Sequence, residues 1–581
     1  KRMIDRIKVT PRRKNEPLFE GYLLSVDGEW RIHSLDLTTS STYGLELLDT
    51  MHITQIHAPV SKDVWRVQNQ IAYLSFNKFG FDISGNFLNV YSNYDLNPVF
   101  GKKYFNRILM SYDSNSIKKD SSYWSSVRPI ALEADERRDF VFKDSMHHAL
   151  SDSFSTSNLD SLKKQQKPIG LQDIFIQGVD HTHYGIKSFN TYRLNSMLSA
   201  IQYNTVEGVV IDLDHSLEMR RKAGKNNYRL SLNTRYGFNN QHLNASLSLM
   251  IQPRQFHFRN RYLLISGGKR VSQFNHDEPI DPFTNSLYSL FAKQNFMKLY
   301  ENWFGNMEYN NRFENGLRWK IGGVWEDRSP LENSTDFTFY KKSERDFLPN
   351  HPYELSAVPF LREQAFVVST QISFQPGQHY IQFPNEKYSI GSRYPTLELS
   401  YSKGIKTWLP SDVDFDKWKF SVYDDANLKM GGVFKYSMSA GGFLNRNSVG
   451  LPDYQHFNGN QTYRSSSFLN SFQLAPYYLY SNIEKLFLEG HVEHHFNGLL
   501  TNKIPLLSKW KWYLVAGSNT FYVNSDNFYV EAFAGIENIF KIFRIDFISA
   551  YQAKPGNYFG VRLGTGGILG SLIPARAGNR N

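Results

Sequence analysis

Apolar and polar residues alternate along most of this chain, most regularly between residues 485 and 567. In KLFLEGHVEHHF, Leu486, Leu488, Gly490, Val492 and Phe496 share one parity, and Glu489, His491, Glu493 and His495 share the other. Successive strand side chains point to opposite faces, so the segment predicts a strand with one apolar and one charged face. The stretches WYLVAGSNTFYV, FYVEAFAGIENIF, FRIDFISAYQA and NYFGVRLGTGG continue the pattern. Upstream, Leu230, Leu232, Thr234, Tyr236 and Phe238 oppose Ser231, Asn233 and Arg235, and Leu243, Ala245, Leu247, Leu249 and Ile251 oppose Asn244, Ser246 and Ser248.

Strands of this kind recur from about Asn204, separated by short turns and by long segments at 271–298, 327–362 and 445–484. Alternating short turns and long loops are the signature of an outer-membrane barrel. The pattern predicts an all-β transmembrane barrel of about 16 antiparallel strands over 204–567, with a tail at 568–581. A soluble sandwich also alternates, and a propeller would show a repeat of roughly 40–50 residues. No such repeat is found.

The first 100 residues read as a small, strand-rich α+β domain in the periplasm, with the GEW stretch as a hairpin turn. Residues 101–203 read as a helical and irregular connector. There Pro129 can open a helix, with Glu133, Asp135 and Glu136 near its first turn, and QQKP at 165–168 reads as a hinge.

Composition sharpens this picture. Aromatic residues make up 15% of the 581, including 35 Tyr and 44 Phe, a load that suits the aromatic girdles of a membrane barrel. Mean hydropathy is −0.48, and no apolar run approaches the roughly 18 residues of a membrane helix. That excludes a helical membrane protein and leaves a barrel open. Without cysteine there is no disulfide or thiolate chemistry. The chain starts at Lys1 without a signal peptide, so it reads as processed or trimmed. The net charge of +11 is scattered, so nucleic acid is not an expected partner.

No nucleophile elbow, phosphate loop, HExxH or paired-carboxylate motif appears, and the chain reads as a non-enzyme without cofactor. Glu489, His491, Glu493 and His495 form a column that suits a polar lumen wall. As a metal site it needs ligands from neighbouring strands, because side chains two apart on a strand are about 6.6 Å apart. His181 and His183 form a similar pair with no visible third ligand. The loop 277–300 alternates aromatic and polar residues, with helix expected near Asn285–Met297, and suits a cover for the barrel mouth or a partner site.

The stretches IKVTPRRKNEPLFEGYLLSVDGEWRIHSLDL, the W-x-x-x-RP from Trp124 to Pro129, and EGHVEHHFNGLLTNKIPLL resemble a Bacteroidota outer-membrane family labelled carboxypeptidase-regulatory-like domain-containing proteins. The label describes an accessory domain expected ahead of Lys1, and no peptidase activity follows from it. The C-terminal part is similar to the BamA/TamA superfamily of sixteen-stranded barrels, which insert or translocate outer-membrane proteins. That superfamily carries a long loop with an arginine tip. Here Phe457 and Gly459 match the lead-in and Arg464 stands at the tip, while Tyr463 and Ser465 depart from the family's valine and glycine.

The family's partner aspartate is missing from the Tyr513, Val515, Gly517 stretch, so the resemblance implies Glu489 or Glu493 as the partner of Arg464. Gly535, Glu537, Arg544 and Asp546 resemble the family's closing pattern. The chain continues past its last strand, where such barrels end on an aromatic residue.

The resemblance implies a Gram-negative outer-membrane protein, its N-terminal domain in the periplasm, that helps outer-membrane proteins fold, insert or translocate within a complex. Expected partners are outer-membrane lipids, including lipopolysaccharide, and subunits of an assembly or secretion complex. The expected mechanism is a weak seam between a first strand containing Gly208, Val209 and Val210 and a last strand containing Tyr558, Gly560 and Val561. Unpaired edge groups there would accept an incoming strand. The alternatives are a scaffolding subunit with an inert closed barrel, and a passive pore or transporter.

Overall fold

The structure, a computed structural model, describes residues 3–566 apart from 13–15, 42–44, 46–47, 79–80, 103, 114, 116–118, 120, 129–131, 152–165, 167, 186–187, 222–225, 254–260, 342–343, 356–359, 385–386, 408 and 553–557. Strands β1 (Ile4–Val9), β2 (Glu20–Val26), β3 (Arg31–Ser40), β4 (Thr50–Ser61), β5 (Val64–Lys78) and β6 (Phe81–Val90) form one antiparallel meander. The turn between β2 and β3 falls at Asp27–Trp30, on the predicted GEW hairpin. Facing residues of paired strands share a face. One cross-strand row reads Val9, Gly21, Leu37, Ile53, Ala72, Phe87, and the next reads Lys8, Tyr22, Asp36, Thr54, Ile71, Leu88. No α-helix lies among the described residues of 3–100, so the described part of the expected α+β domain is a sheet.

Helices follow at Ser121–Val127 and Ala134–Ser151. The second carries Asp135 and Glu136 in its first turn, and the Glu136 carboxylate accepts the Glu133 N–H at 2.9 Å. This end is favoured because a helix N-terminus leaves N–H groups without intrahelical partners. Pro129 and half of the 165–168 hinge lie outside the described residues.

The remaining strands are β7 (Ile108–Ser111), β8 (Val179–Tyr184), β9 (Ser188–Leu194), β10 (Ile201–Asn204), β11 (Gly208–Arg221), β12 (Asn226–Gly237), β13 (Leu243–Pro253), β14 (Tyr262–Gln273), β15 (Leu299–Arg312), β16 (Leu317–Pro330), β17 (Glu363–Phe374), β18 (His379–Gln382), β19 (Lys387–Gly391), β20 (Thr396–Gly404), β21 (Asp414–Asn427), β22 (Val433–Ser448), β23 (Phe487–His495), β24 (Tyr513–Asn524), β25 (Asn527–Ile539), β26 (Phe543–Gln552) and β27 (Tyr558–Thr565). β7, β18 and β19 form a separate three-stranded sheet that ties the connector to the β17–β20 crossing. All the others belong to one large antiparallel sheet. β9 and β10 lie end to end along β11, facing His215–Arg221 and Gly208–Ile211 respectively. Counting that pair as one track, β9/β10 through β17 and β20 through β27 make sixteen positions, with β8 added outside β9. The large sheet therefore begins at Val179 rather than at Asn204. β8, β9 and β10 are four to seven residues long, too short for alternation to announce them.

Register explains the sidedness. One row across seven strands reads Trp319, Ile372, Leu399, Phe420, Ala440, Leu488, Tyr522. The neighbouring row, one residue along, reads Arg318, Ser373, Glu398, Ser421, Ser439, Glu489, Phe521. A slip of one residue would exchange the two faces, so the pattern fixes the pairing. No helix among the described residues is long and apolar enough to cross a membrane, which says nothing of a crossing by strands.

The sheet is rolled. Polar-face residues of β16, β17, β21, β25 and β27 all reach or flank one loop, 449–486, as its contacts below establish. The roll is not zipped shut. β27 and β8 are neighbours in the strand order, yet no residue-by-residue register joins them among the described residues. Gly208, Val209 and Val210 face Asn204, Tyr203 and Gln202 of β10, so they lie inside the sheet and not at its edge. Their strand has neighbours on both sides because β9 and β10 precede it. Tyr558, Gly560 and Val561 do lie on the last strand, where they pair with Ala550, Ile548 and Phe547 of β26.

Candidate functional site: an interior loop and an open seam

Loop 449–486 enters the rolled sheet over a short helical turn, Leu451–Asp453. Its base is closed by Gln455 and Asn482, which exchange backbone hydrogen bonds of 2.9 and 3.0 Å. The Asp453 carboxylate accepts both Nη atoms of Arg328, at 2.6 and 3.1 Å. Arg328 also donates to Glu326 at 2.8 Å and Glu363 at 3.0 Å, and is only 1% exposed. A guanidinium fork matches a carboxylate in two parallel bonds, which fixes orientation as well as energy. Lys417 donates to the Tyr454 carbonyl at 2.9 Å and the Asp453 carbonyl at 3.3 Å.

Deeper in the loop, Phe457 stacks on Phe521 at 4.1 Å and meets Phe472 and Phe487 edge-on. Phe472, Tyr480 and Tyr529 complete this buried cluster. Each fully buried aromatic side chain contributes roughly 1.5–3 kcal/mol. Gly459 passes so close to the returning chain that a Cβ there would sit 2.3 Å from the Ala475 carbonyl oxygen. Glu531 of β25 accepts the Gln473 N–H at 2.7 Å and the Leu474 N–H at 3.1 Å. Asn458 joins the neighbouring loop, accepting from Asn275 at 2.8 Å and donating to Asp277 at 3.0 Å.

His456 is buried between loop segments. Its Nε2 lies 3.1 Å from the Leu451 carbonyl and its Nδ1 2.7 Å from the Ser481 hydroxyl. A carbonyl only accepts, so Nε2 carries the proton, Nδ1 accepts, and the ring is neutral. Burial first, and the Lys417 charge second, push its pKa down to about 3.

The tip of the loop reaches the last strand. The Leu563 N–H donates to the Tyr463 carbonyl at 2.8 Å, and the Leu563 carbonyl accepts the Ser465 N–H at 2.9 Å. Arg562 adds side-chain bonds to the carbonyls of Gln473, at 2.8 Å, and Asn460, at 3.2 Å. These Leu563 groups point away from β26, so the loop occupies a piece of the free edge of β27.

The structure brings together only part of what the sequence predicts. Phe457 and Gly459 are buried in the loop. Arg464 does not meet Glu489 or Glu493. It is exposed and faces Thr284 at 3.2 Å and Asp281 at 3.5 Å. The two glutamates already have cations: Glu489 binds Lys419 at 2.8 Å, and Glu493 pairs with Arg544. The resembling positions Glu537 and Asp546 join this wall, with His495 on Glu537 at 2.9 Å and Arg544 on Asp546 at 2.8 Å. His491 bonds Asn519 at 3.1 Å. Among the described residues no group of three histidine or carboxylate side chains could hold a metal ion.

Sequence reasoning missed Arg328 and Asp453. A signal existed: Glu326 and Arg328 have the parity of the polar face at the end of a strand that opens into a long loop. The arrangement ties loop 449–486 to several walls of the sheet by a buried ion pair and hydrogen bonds. What it offers is mechanical: a loop clamped inside a rolled sheet, with its tip on an unzipped edge.

These features define a β-protein with one large rolled sheet plugged by its own loops. Within that class the chain belongs to a family of unknown function, DUF5686: the family's C-terminal domain matches residues 172–536, and its N-terminal part matches residues 1–94. No curated protein matches the chain. Among solved structures, CdiB from Acinetobacter baumannii aligns at 10% identity and a TM-score of 0.30, over 65% of this chain and 59% of that one. The chain thus spans less than two thirds of that structure, and a similarity this small carries neither fold nor function across.

Proposed function

We propose that this chain is an outer-membrane β-barrel, of the kind the BamA-type resemblance implies, that helps outer-membrane proteins fold, insert or translocate. It works within a complex of other subunits, with its N-terminal sheet in the periplasm and its outer face in outer-membrane lipid, including lipopolysaccharide. The observation that carries the reading is the edge at Leu563, whose backbone N–H and C=O bind the loop tip Tyr463–Ser465. When the tip leaves, the edge offers hydrogen bonds to an extended segment of a client, which is strand addition. The apolar outward row and the charged inward row give such a barrel its lipid face and its polar interior. The plugged interior speaks against a passive pore.

The test is purification from the native membrane in mild detergent, with mass spectrometry of what comes along and conductance in planar bilayers. Recovery with outer-membrane assembly subunits, and no steady conductance, is expected. Recovery as a single species with stable conductance would overturn the assembly reading in favour of a channel.

A further inference from the structure

The helix Pro282–Ala292 has its amphipathicity inside out. Asn285, Ser286 and Ser289 are buried, while Phe283, Leu287 and Phe291, spaced four apart, are 65%, 43% and 60% exposed. The helix contains no charged residue. In water such a helix turns its apolar stripe inward. Here the polar stripe faces the protein and is satisfied there. Asn285 accepts the N–H groups of Phe296 and Met297, each at 3.0 Å, and donates to Asn295 at 2.7 Å.

The helix also sits at the seam and touches both sides of it. On one side, the Ser286 hydroxyl accepts the Tyr203 N–H of β10 at 2.8 Å. On the other, the Tyr288 hydroxyl accepts the Tyr463 N–H at 2.7 Å, and Thr284 meets Arg464, both on the tip that caps β27. On the strands beside the helix, Ile201 of β10 is 53% exposed and Val209 of β11, paired with Tyr203, is 46% exposed. Phe339 extends the helix's stripe on the far side, stacked on Phe291 at 5.5 Å.

We propose that this helix is a piece of the barrel wall: it fills the gap between β10 and the capped edge of β27 and turns Phe283, Leu287 and Phe291 to the acyl chains of the membrane. The inference rests on the membrane reading above. It assigns the occupant of the exposed stripe as lipid hydrocarbon, because the helix has no charged residue and the strands beside it also expose apolar side chains, Ile201 and Val209. The helix and the loop tip it holds are then the movable part of the wall, bonded to each strand edge by side chains and a loop and not by a ladder.

The native chain has no cysteine, so single labels are clean. The test places a nitroxide at Leu287→Cys and, as a second position, at Phe291→Cys. Reference labels sit at Leu247→Cys on the exposed face of β13 and at Glu332→Cys in an exposed loop. Each protein is reconstituted in phospholipid vesicles, and collision with oxygen and with a water-soluble nickel chelate is measured. Nickel collision at 287 and 291 several-fold below that at 332, with oxygen collision matching 247, is the expected result. Nickel access at 287 and 291 equal to that at 332, while 247 stays shielded, would overturn the wall assignment alone. Nickel access at 247 as well would overturn the membrane reading on which it rests.

Discussion

Arg328, near the end of β16, holds the Asp453 carboxylate of loop 449–486 in a two-bonded grip of 2.6 and 3.1 Å, with both groups buried. The ion pair that anchors the loop therefore has the cation on the wall and the anion on the loop, the reverse of the arrangement that the Arg464 resemblance implies. Glu326 and Glu363 flank the same guanidinium, so three carboxylates share one arginine. Such a cluster fixes the geometry of the loop more than it stabilises the fold, since desolvating the charges offsets much of their attraction.

Removing the cation alone is the damaging change. Arg328→Met leaves Asp453, Glu326 and Glu363 facing each other without their shared partner, and breaking a buried pair costs about 3–5 kcal/mol. Hydrogen exchange should show that loss confined to residues 449–486, with β11–β13 unchanged. Asp453→Asn keeps a hydrogen-bond acceptor and leaves Arg328 with two carboxylates, so its effect should be the smaller one. Equal protection in wild type and Arg328→Met would show that the pair does not hold the loop.

Gly459 tests the close approach. Its φ is ordinary, so the demand for glycine is spatial: a methyl there meets the Ala475 and Pro476 carbonyl oxygens at 2.3 and 2.5 Å. These are backbone atoms and have no rotamer to escape into. Gly459→Ala should force the two limbs of the loop apart at a cost of about 1–3 kcal/mol, the usual range for overpacking. Faster proteolysis between residues 457 and 475 is the readout. Unchanged cleavage would mean that the limbs are not in contact in solution.

Period-2 alternation makes the sheet legible because its apolar and polar faces impose opposite demands on neighbouring residues, and those demands repeat strand after strand. Leu488 against Glu489 is a local fact of sequence. The partner of a charged residue is not local. Arg328 finds Asp453 across 125 positions, and nothing in spacing distinguishes that aspartate from Asp281 or Asp277. The tip arginine suggests a lock because its lead-in Phe457 and Gly459 are recognisable, yet Glu489 and Glu493 are held by Lys419 of β21 and Arg544 of β26, which lie two and three strands away across the rolled sheet. The sequence places the start of the sheet at β11 because the strands before it, β8, β9 and β10, have only four to seven residues each. A helix is expected near Asn285–Met297 and stands at Pro282–Ala292, but which of its faces meets the protein, and its position at the seam, depend on tertiary contacts.

A crosslink can test whether the tip must leave. A Cβ added at Gly564 lies 3.2 Å from the Ser465 Cβ, near the roughly 3.8 Å of a disulfide. The double variant Ser465→Cys with Gly564→Cys should oxidise readily and fasten the tip to β27. On the function proposed above, insertion of client barrels should stop once the bond forms, and reductant should restore it. Full activity of the oxidised form would rule out tip release as a step.

Acid should loosen the same loop through His456. The ring is neutral in the folded protein, with its pKa pushed down to about 3 by burial and by Lys417, whereas in an unfolded chain it titrates near 6.5. A group whose folded pKa is depressed contributes its full stability above the unfolded value. Below it the unfolded chain takes up a proton that the buried ring refuses, so stability falls by about 1.4 kcal/mol per pH unit between about 6.5 and the folded value. Lowering pH from 7 to 5 should therefore weaken the packing of residues 451–481 by about 2 kcal/mol. His456→Gln retains a donor for Leu451 and an acceptor for Ser481 but cannot take up the proton. Hydrogen exchange of the loop in that variant should be flat between pH 5 and 7 after correction for intrinsic rates, while the wild type opens on acidification. A parallel pH response in both proteins would place the titrating group elsewhere.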